Sequence, residues 1–214
     1  QFNMNASFMA KPFSDEAGNG MHVHLSVVDK DGNNVFTVDK NKQPQGLFSQ
    51  AIGGLLKTTP DFLSFYAPHS NSYRRLVHNA DHAPTTLSWG NENRTALIRL
   101  PEASAEATRL EFRVASADSN PYLVFASVLA SVYAGIQGKL QHDKETIGNA
   151  HAQHPPSLGV TWREAVEKTS VSSLVKDFFG EQFQQCYTCV KESEIKRFES
   201  TITDFEYHSY LRCL

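Results

Sequence analysis

Nowhere does the sequence approach the roughly 18 to 20 consecutive apolar residues that a membrane-spanning helix requires, and no charged-then-apolar leader opens it. Excess positive charge is missing too. The 20 Lys and Arg stand against 23 Asp and Glu, a formal net charge of −3, which argues against a general nucleic-acid or anionic-membrane surface. Cysteine is scarce: Cys186, Cys189 and Cys213 do not make a disulfide framework, so the chain reads as cytoplasmic, with small molecules or protein subunits as partners. Cys186-Tyr-Thr-Cys189 has CxxC spacing but lies in a helix-like segment with no second ligand pair nearby, and reads as inert. Neither a Walker-type phosphate loop nor GxGxxG occurs, so a phosphate cradle at a helix N-terminus is not the mechanism to expect. Internal repeats and low-complexity tracts are absent as well.

What is present is ordinary for a folded protein: 40% hydrophobic and 20% charged residues, enough for a sizeable core. One domain over 1–214 is expected, with the sheet, the motifs and a buried helix in 1–140 and a helical region in 141–214. Ala6 to Lys11 and Gly20 to Val28 read as strands, and Asp31-Gly-Asn-Asn34 leads a hairpin into Val35 and Phe36. Ile52, Leu55 and Leu56 share one face of a helix over Ser49 to Thr58, which Pro60 ends while opening a second short helix to Tyr66. Ala67 to Thr86 lacks periodicity and reads as a long functional loop. Leu87 to Gly90, Thr95 to Leu100 and Thr108 to Val114 extend an antiparallel sheet, and Asn120-Pro121 opens a strongly apolar, buried helix through about Leu140. A linker over His142 to Pro156 leads to helices near Thr161 to Lys168, Gly180 to Ser200 and Asp204 to Leu211. Strands first and helices after point to an α+β fold.

In Gly18-Asn-Gly-Met-His22-Val-His24-Leu-Ser26, strand alternation puts His22, His24 and Ser26 on one face and Met21, Val23, Leu25 and Val27 on the other. Histidines two apart on a strand lie about 7 Å from each other, close enough to serve one pocket; the alternative is a half-exposed strand with two surface histidines. Arg109-Leu-Glu111-Phe-Arg113 repeats the device, with Leu110 and Phe112 packed behind. A carboxylate between two guanidiniums suits a divalent cation beside phosphates, or else a surface ladder of salt bridges. Arg74, Arg75, Arg94 and Arg99 add forked donors, which points to a nucleotide and an acidic substrate. Arg94 and Arg99 differ by an odd number, so a bulge, or a place for Arg94 ahead of the strand, is needed to bring them to one face.

Phe8-Met-Ala-Lys-Pro12, the Gly18 to Ser26 segment, Asn71-Ser-Tyr-Arg-Arg75, Asn93-Arg-Thr95, Ile98-Arg-Leu-Pro101, the Arg109 to Arg113 segment and Asn120-Pro-Tyr-Leu123 resemble, in order, the motifs of the glutamine synthetase catalytic domain. The likeness covers Phe8 to Gly138 closely and continues loosely to the end, where Phe179 to Phe183, Lys191 to Glu194 and Asp204 to Glu206 look more like the γ-glutamylpolyamine synthetases than the ammonia-using enzymes. The resemblance implies part of that family's catalytic half-barrel, an antiparallel sheet flanked by helices. It implies a ligase in which ATP phosphorylates the γ-carboxylate of glutamate beside Mg²⁺ or Mn²⁺, and an amine then displaces the phosphate. By position, His22 and Glu111 match ligands of the cation on the nucleotide phosphates. His24, Ser26, Arg99 and Arg109 match the nucleotide site, and Gly18, Arg75 and Arg113 the glutamate site. Arg94 matches the arginine that stabilises charge developing in phosphoryl transfer. A ring-shaped homo-oligomer follows from the same likeness.

Two departures bear on the substrate. Ala17-Gly18 replaces the family's Asn-Gly, so a glutamate contact is missing or passes to Asn19. Where ammonia-using enzymes carry a Glu before Ala-Pro, this chain has Asp81-His82 before Ala83-Pro84. A neutral imidazole weakens an ammonium cage, which favours an organic amine or polyamine as acceptor. An ammonia-using synthetase and a non-catalytic structural relative are the alternatives, and a phosphagen-kinase-like arginine site fits the histidine strand less well. The family's N-terminal domain and remaining metal carboxylates have no counterpart in the sequence, and the chain opens at Gln1 without an initiating Met. A fragment, inactive alone, is expected.

Overall fold

The computed structural model describes residues 2–77, 83–158 and 160–213. Short strands β1 (Val23–Leu25), β2 (Thr37–Val38) and β3 (Pro44–Gln45) precede helices α1 (Gly46–Tyr66) and α2 (Ser70–Arg75). Then come β4 (Trp89–Asn91), β5 (Ile98–Leu100) and β6 (Leu110–Phe112), followed by helices α3 (Pro121–Gln137), α4 (Ala150–Gln153), α5 (Trp162–Val171), α6 (Ser173–Phe179), α7 (Glu181–Glu199) and α8 (Asp204–Tyr210). The α+β character matches the expectation: β1, β6, β5 and β4 pair in that order as one sheet, with β2 and β3 as a separate pair. No described helix is long and apolar enough to cross a membrane.

Burial follows the alternation of residues 21–28, with Val23 buried, Leu25 half-buried, and His22, His24 and Ser26 facing outward. Leu110, Phe112 and Ile98 continue the inner face across β6 and β5. The ladders are shorter than the sequence predicts, because side chains take over part of the pairing. Ala6–Lys11 is an irregular strap, not a strand: the Asn71 amide accepts from the Lys11 N–H at 2.8 Å and donates to its carbonyl at 2.9 Å, and the Ala10 carbonyl accepts from Asn19 N–H at 2.7 Å.

The sheet is antiparallel except at its outer pair. β4 and β5 run parallel, against expectation, although parallel neighbours usually need a long crossover. Each is 3 residues long, so residues 92–97 need to carry the chain back only about 10 Å. The side chain of Asn93 anchors this return, accepting from Thr95 N–H at 3.0 Å and donating to the carbonyls of Thr146 and Gly148. Residues 142–156, read as a linker, serve as a brace on β4: Thr146 N–H donates to the Trp89 carbonyl at 2.9 Å and the Trp89 indole to the Asp143 carbonyl at 2.7 Å. The linker also holds α4.

Pro60 does not stop the first helix, which runs through it for 21 residues. A proline inside a helix costs about 3 kcal/mol. The buried side chains of Leu55, Phe62, Leu63, Phe65 and Tyr66 lie on both sides of it, and their burial contributes on the order of 10 kcal/mol, so tertiary packing wins. Ala67 to Thr86, expected as an unbroken loop, contains α2. The apolar circumference of α3 predicts full burial, but the structure divides it: Val124, Val128 and Val132 are buried, whereas Tyr122, Phe125, Leu129 and Tyr133 are exposed. In the C-terminal half, Phe62 and Phe65 of α1 meet Phe179 at the end of α6, and Phe65 also meets Phe183 and Tyr187 of α7 in an aromatic cluster. Cys186 and Cys189 lie exposed on α7 as free thiols.

Helices α1 and α3 pack closely where Gly54 and Gly135 face each other. A Cβ at Gly54 would meet the Gly135 Cα at 2.7 Å and the Ser131 carbonyl oxygen. Both obstacles are backbone, so the helices must separate. Gly54→Ala or Gly135→Ala is therefore expected to destabilise the chain by about 1–3 kcal/mol, seen as a lower urea midpoint with unchanged m-value.

Candidate active site

Sheet register assembles the site. Glu111 on β6 lies between His24 on β1 and Arg99 on β5 as direct cross-strand partners, so the three side chains share the outer face. His22 sits one pleat from His24, and its Nδ1 approaches Glu111 Oε1 to 2.8 Å. Arg113 Nη1 meets the same oxygen at 2.8 Å, and Arg99 Nη1 meets Oε2 at 2.6 Å. Glu111 is only 3% exposed. Burial pushes its carboxyl pKa up, but the Arg99 hydrogen bond and the charges of Arg113 and Arg99 outweigh burial and hold it below the ordinary value. For His22, burial and then the Arg113 charge lower the pKa despite Glu111, so the ring is neutral at pH 7.

This donor set fits a divalent cation. Neighbouring ligand atoms on an octahedral ion with bonds of about 2.0–2.1 Å lie about 3 Å apart, close to the His22–Glu111 separation. A neutral imidazole and an ionised carboxylate are also the forms that bind metal. Among the described residues no group of three or more His, Cys, Asp or Glu converges, so these two side chains alone would leave a cation's coordination incomplete.

Other expected residues fall around this pair. His24 accepts a hydrogen bond at Nδ1 from Arg109 Nε at 3.2 Å, which places the ring proton of the neutral tautomer on Nε2. Ser26 is exposed just beyond the end of β1. Arg94 is not in β5 but in the turn ahead of it, which resolves the parity conflict with Arg99; its side chain is exposed while its carbonyl accepts from Arg113 Nη2 at 3.0 Å. Arg113, expected at a substrate, is 1% exposed and directs its terminal nitrogens to Glu111 and to the Arg94 carbonyl. Arg99 is shared between Glu111 and Glu92, whose Oε2 it meets at 2.6 Å.

Gly18, His22 and Arg75 line one cavity of about 380 Å³, together with Lys11, Asp15, Glu16 and Arg74. Arg75 reaches it from α2, almost wholly buried, with Nη2 donating to the Val114 carbonyl; burial lowers its pKa to about 10. Gly18 is dictated by packing, since a Cβ there would stand 2.7 Å from both the Ala10 carbonyl oxygen and the Arg75 Cγ. Asp81 and His82 lie outside the described residues. Sequence reasoning missed Glu92 and Asp118. Asp118 accepts from Ser72 Oγ at 3.2 Å and faces His69 Nδ1 at 3.2 Å, which steadies α2. The only local signal for Glu92 is its neighbourhood with Asn93-Arg-Thr95, because its partner Arg99 comes from the next strand.

Removing the carboxylate leaves two guanidiniums facing each other in a water-poor setting. Glu111→Ala is expected to cost about 3–5 kcal/mol by chemical denaturation, while Glu92→Ala, which breaks the half-exposed arm of the same network, costs about 1 kcal/mol or less.

Comparison with known proteins agrees with this geometry. The family described as Glutamine synthetase, catalytic domain, matches residues 1–210. The chain is 34% identical over 203 residues to Gamma-glutamylputrescine synthetase PuuA of Escherichia coli (strain K12), covering 95% of this chain and 43% of that protein. It is 34% identical over 218 residues to a Glutamine synthetase of Thermotoga maritima, covering 97% of this chain and 49% of that one. A solved structure described as apo GmaS without ligand superposes with a TM-score of 0.82 at 27% identity, over 97% of this chain and 48% of that one. The chain thus spans less than half the length of these relatives. Family match, related sequences and superposed fold converge: the chain belongs to the glutamine synthetase catalytic-domain family.

Proposed function

We propose that this chain carries the sheet-borne part of an active centre that joins the γ-carboxylate of glutamate to an amine, driven by ATP through a γ-glutamyl phosphate. The observation that carries this reading is the contact of His22 with Glu111, inside a ring of arginines and beside the cavity of Gly18 and Arg75. Arg75, fixed and cationic in the cavity wall, holds a substrate carboxylate, with Gly18 leaving room for it. Arg109 and His24 offer donors to the nucleotide with Ser26, and Arg99 exchanges its carboxylate partners for phosphate oxygens. Arg113 acts from behind, aligning Glu111 and the turn that presents Arg94. The exposed Arg94 guanidinium reaches toward charge that builds up as the phosphoryl group moves. Mg²⁺ or Mn²⁺, held in part by His22 and Glu111, supplies charge neutralisation of the phosphates. Its remaining ligands come from outside the described residues, and a homo-oligomer completing the centre is part of the proposal, as is the single-domain reading of 1–214.

An organic amine is the acceptor we favour. The likeness to Gamma-glutamylputrescine synthetase PuuA supports it, as do Asp15 and Glu16 on the cavity wall, which offer carboxylates to an acceptor bearing a second ammonium. The likeness to a Glutamine synthetase supports ammonia as the second reading.

Phosphate release by the full-length protein with glutamate, ATP and Mg²⁺ is expected to be faster with putrescine than with ammonium; a preference for ammonium would reject the organic-amine reading. Arg94→Ala, at an exposed position, is expected to lower kcat by about 10²- to 10³-fold without loss of stability. Unchanged turnover in that variant would favour a structural role for the chain. Gly18→Ala is expected to raise the KM for glutamate by about tenfold as Arg75 is pushed aside.

A further inference from the structure

Arg99 holds two carboxylates that differ in kind. Glu111 is almost wholly buried and is also fixed by Arg113 and His22, whereas the Glu92 side chain is 50% exposed and meets Arg99 Nη2 at 2.6 Å from the turn after β4. An ion pair so open to water contributes little to stability.

Backbone preference does not explain a glutamate there. Glu92 has a φ of +50°, in the left-handed region where glycine or asparagine is at home. What its side chain adds is contact: Oε2 lies on Arg99, and Oε1 accepts from the Glu102 N–H. The Arg99 hydrogen bond and then that N–H hold its carboxyl below the ordinary range, so it is ionised at pH 7. Glu92 also lines a cavity of about 210 Å³ together with Arg109, Lys42 and Asn91. An anion that enters beside Arg109 therefore meets a carboxylate already seated on Arg99.

We propose that Glu92 is a latch: in the empty site it occupies one outer nitrogen of Arg99, and it yields that nitrogen to the phosphate chain of an incoming nucleotide. The inference rests on the nucleotide reading of Arg99 and Arg109. Glu111 keeps Arg99 Nη1 throughout, so the guanidinium stays in place while the Glu92 carboxylate turns into water. No covalent bond changes. A chain of phosphates, with several charged acceptors, replaces a single carboxylate on a forked donor. Because the nitrogen is free in only a fraction of molecules, the latch lowers the apparent affinity for the anion by that fraction.

The phosphate chain alone is the probe: tripolyphosphate with Mg²⁺, titrated into the full-length protein by calorimetry. Glu92→Gln keeps the size of the side chain and an acceptor for the Glu102 N–H but loses the charge; it is expected to lower the Kd about three- to fivefold, with the KM for ATP falling in step. Glu106→Gln removes an exposed carboxylate ahead of β6 and should leave the Kd within about twofold of the wild type, which separates the latch from a change in net charge. In an Arg99→Gln background, adding Glu92→Gln should bring no gain. Unchanged or weaker binding in Glu92→Gln, an equal gain in Glu106→Gln, or a gain that survives the loss of Arg99 would each overturn the latch, as would a wild type that binds no tripolyphosphate. A tighter Kd in Glu92→Gln, without turnover of ATP, glutamate and any amine by the wild type, keeps the latch and rejects the ligase reading; turnover with an unmoved Kd does the reverse.

Discussion

One buried carboxylate organises this face of the protein. An isolated charge at the position of Glu111 would cost several kcal/mol of lost hydration, so Arg99, Arg113 and His22 are conditions of its existence. Arg99 and Arg113 are balanced by Glu111 and Glu92, and Arg75, Arg94 and Arg109 nearby then give the site a local positive excess on a chain whose net charge is −3. A polyanion is thus drawn to this face even though the protein as a whole repels it weakly, since potential at a cleft depends on the nearest charges.

The sheet that holds these groups has strands of 3 residues, too short to fix side-chain positions by ladder hydrogen bonds alone. Asparagine amides do the remaining work, each offering a donor and an acceptor in the manner of a peptide group. Asn71 clamps the strap at Lys11, Asn19 donates to the Met9 carbonyl, and Asn93 ties the Arg94 turn to residues 146–148. Irregular backbone around the cavity thereby has hydrogen-bond partners without forming a continuous sheet.

Much of this was legible from residue order. Period-two alternation at 22–26 and 109–113 depends on backbone geometry alone, and it correctly placed His22, His24, Arg109 and Glu111 outward. The family motifs gave the sheet its company of helices. Where legibility failed, a distant partner had overruled local preference. Pro60 reads as a stop only until the aromatic residues around it are buried, and β4 reads as antiparallel until residues 143–146 brace its outer edge. Arg113 is matched to the glutamate site through the family motif, while its depth, 1% exposed, is a property of the packed sheet that no motif shows. Glu92 and Asp118 owe their roles to Arg99 and α2, which no short motif contains.

The two margins of the sheet differ. Past β4 the chain itself closes the border, whereas β1 is the last strand on its side, and among the described residues none takes up the outward backbone groups of Val23 to Leu25. A further strand docking there would lie about 4.8 Å away and project every second side chain beside His22 and His24. Completing the ladder would then also set new side chains beside the pair His22 and Glu111, so that the sheet's open edge and the neighbourhood of that pair are one place.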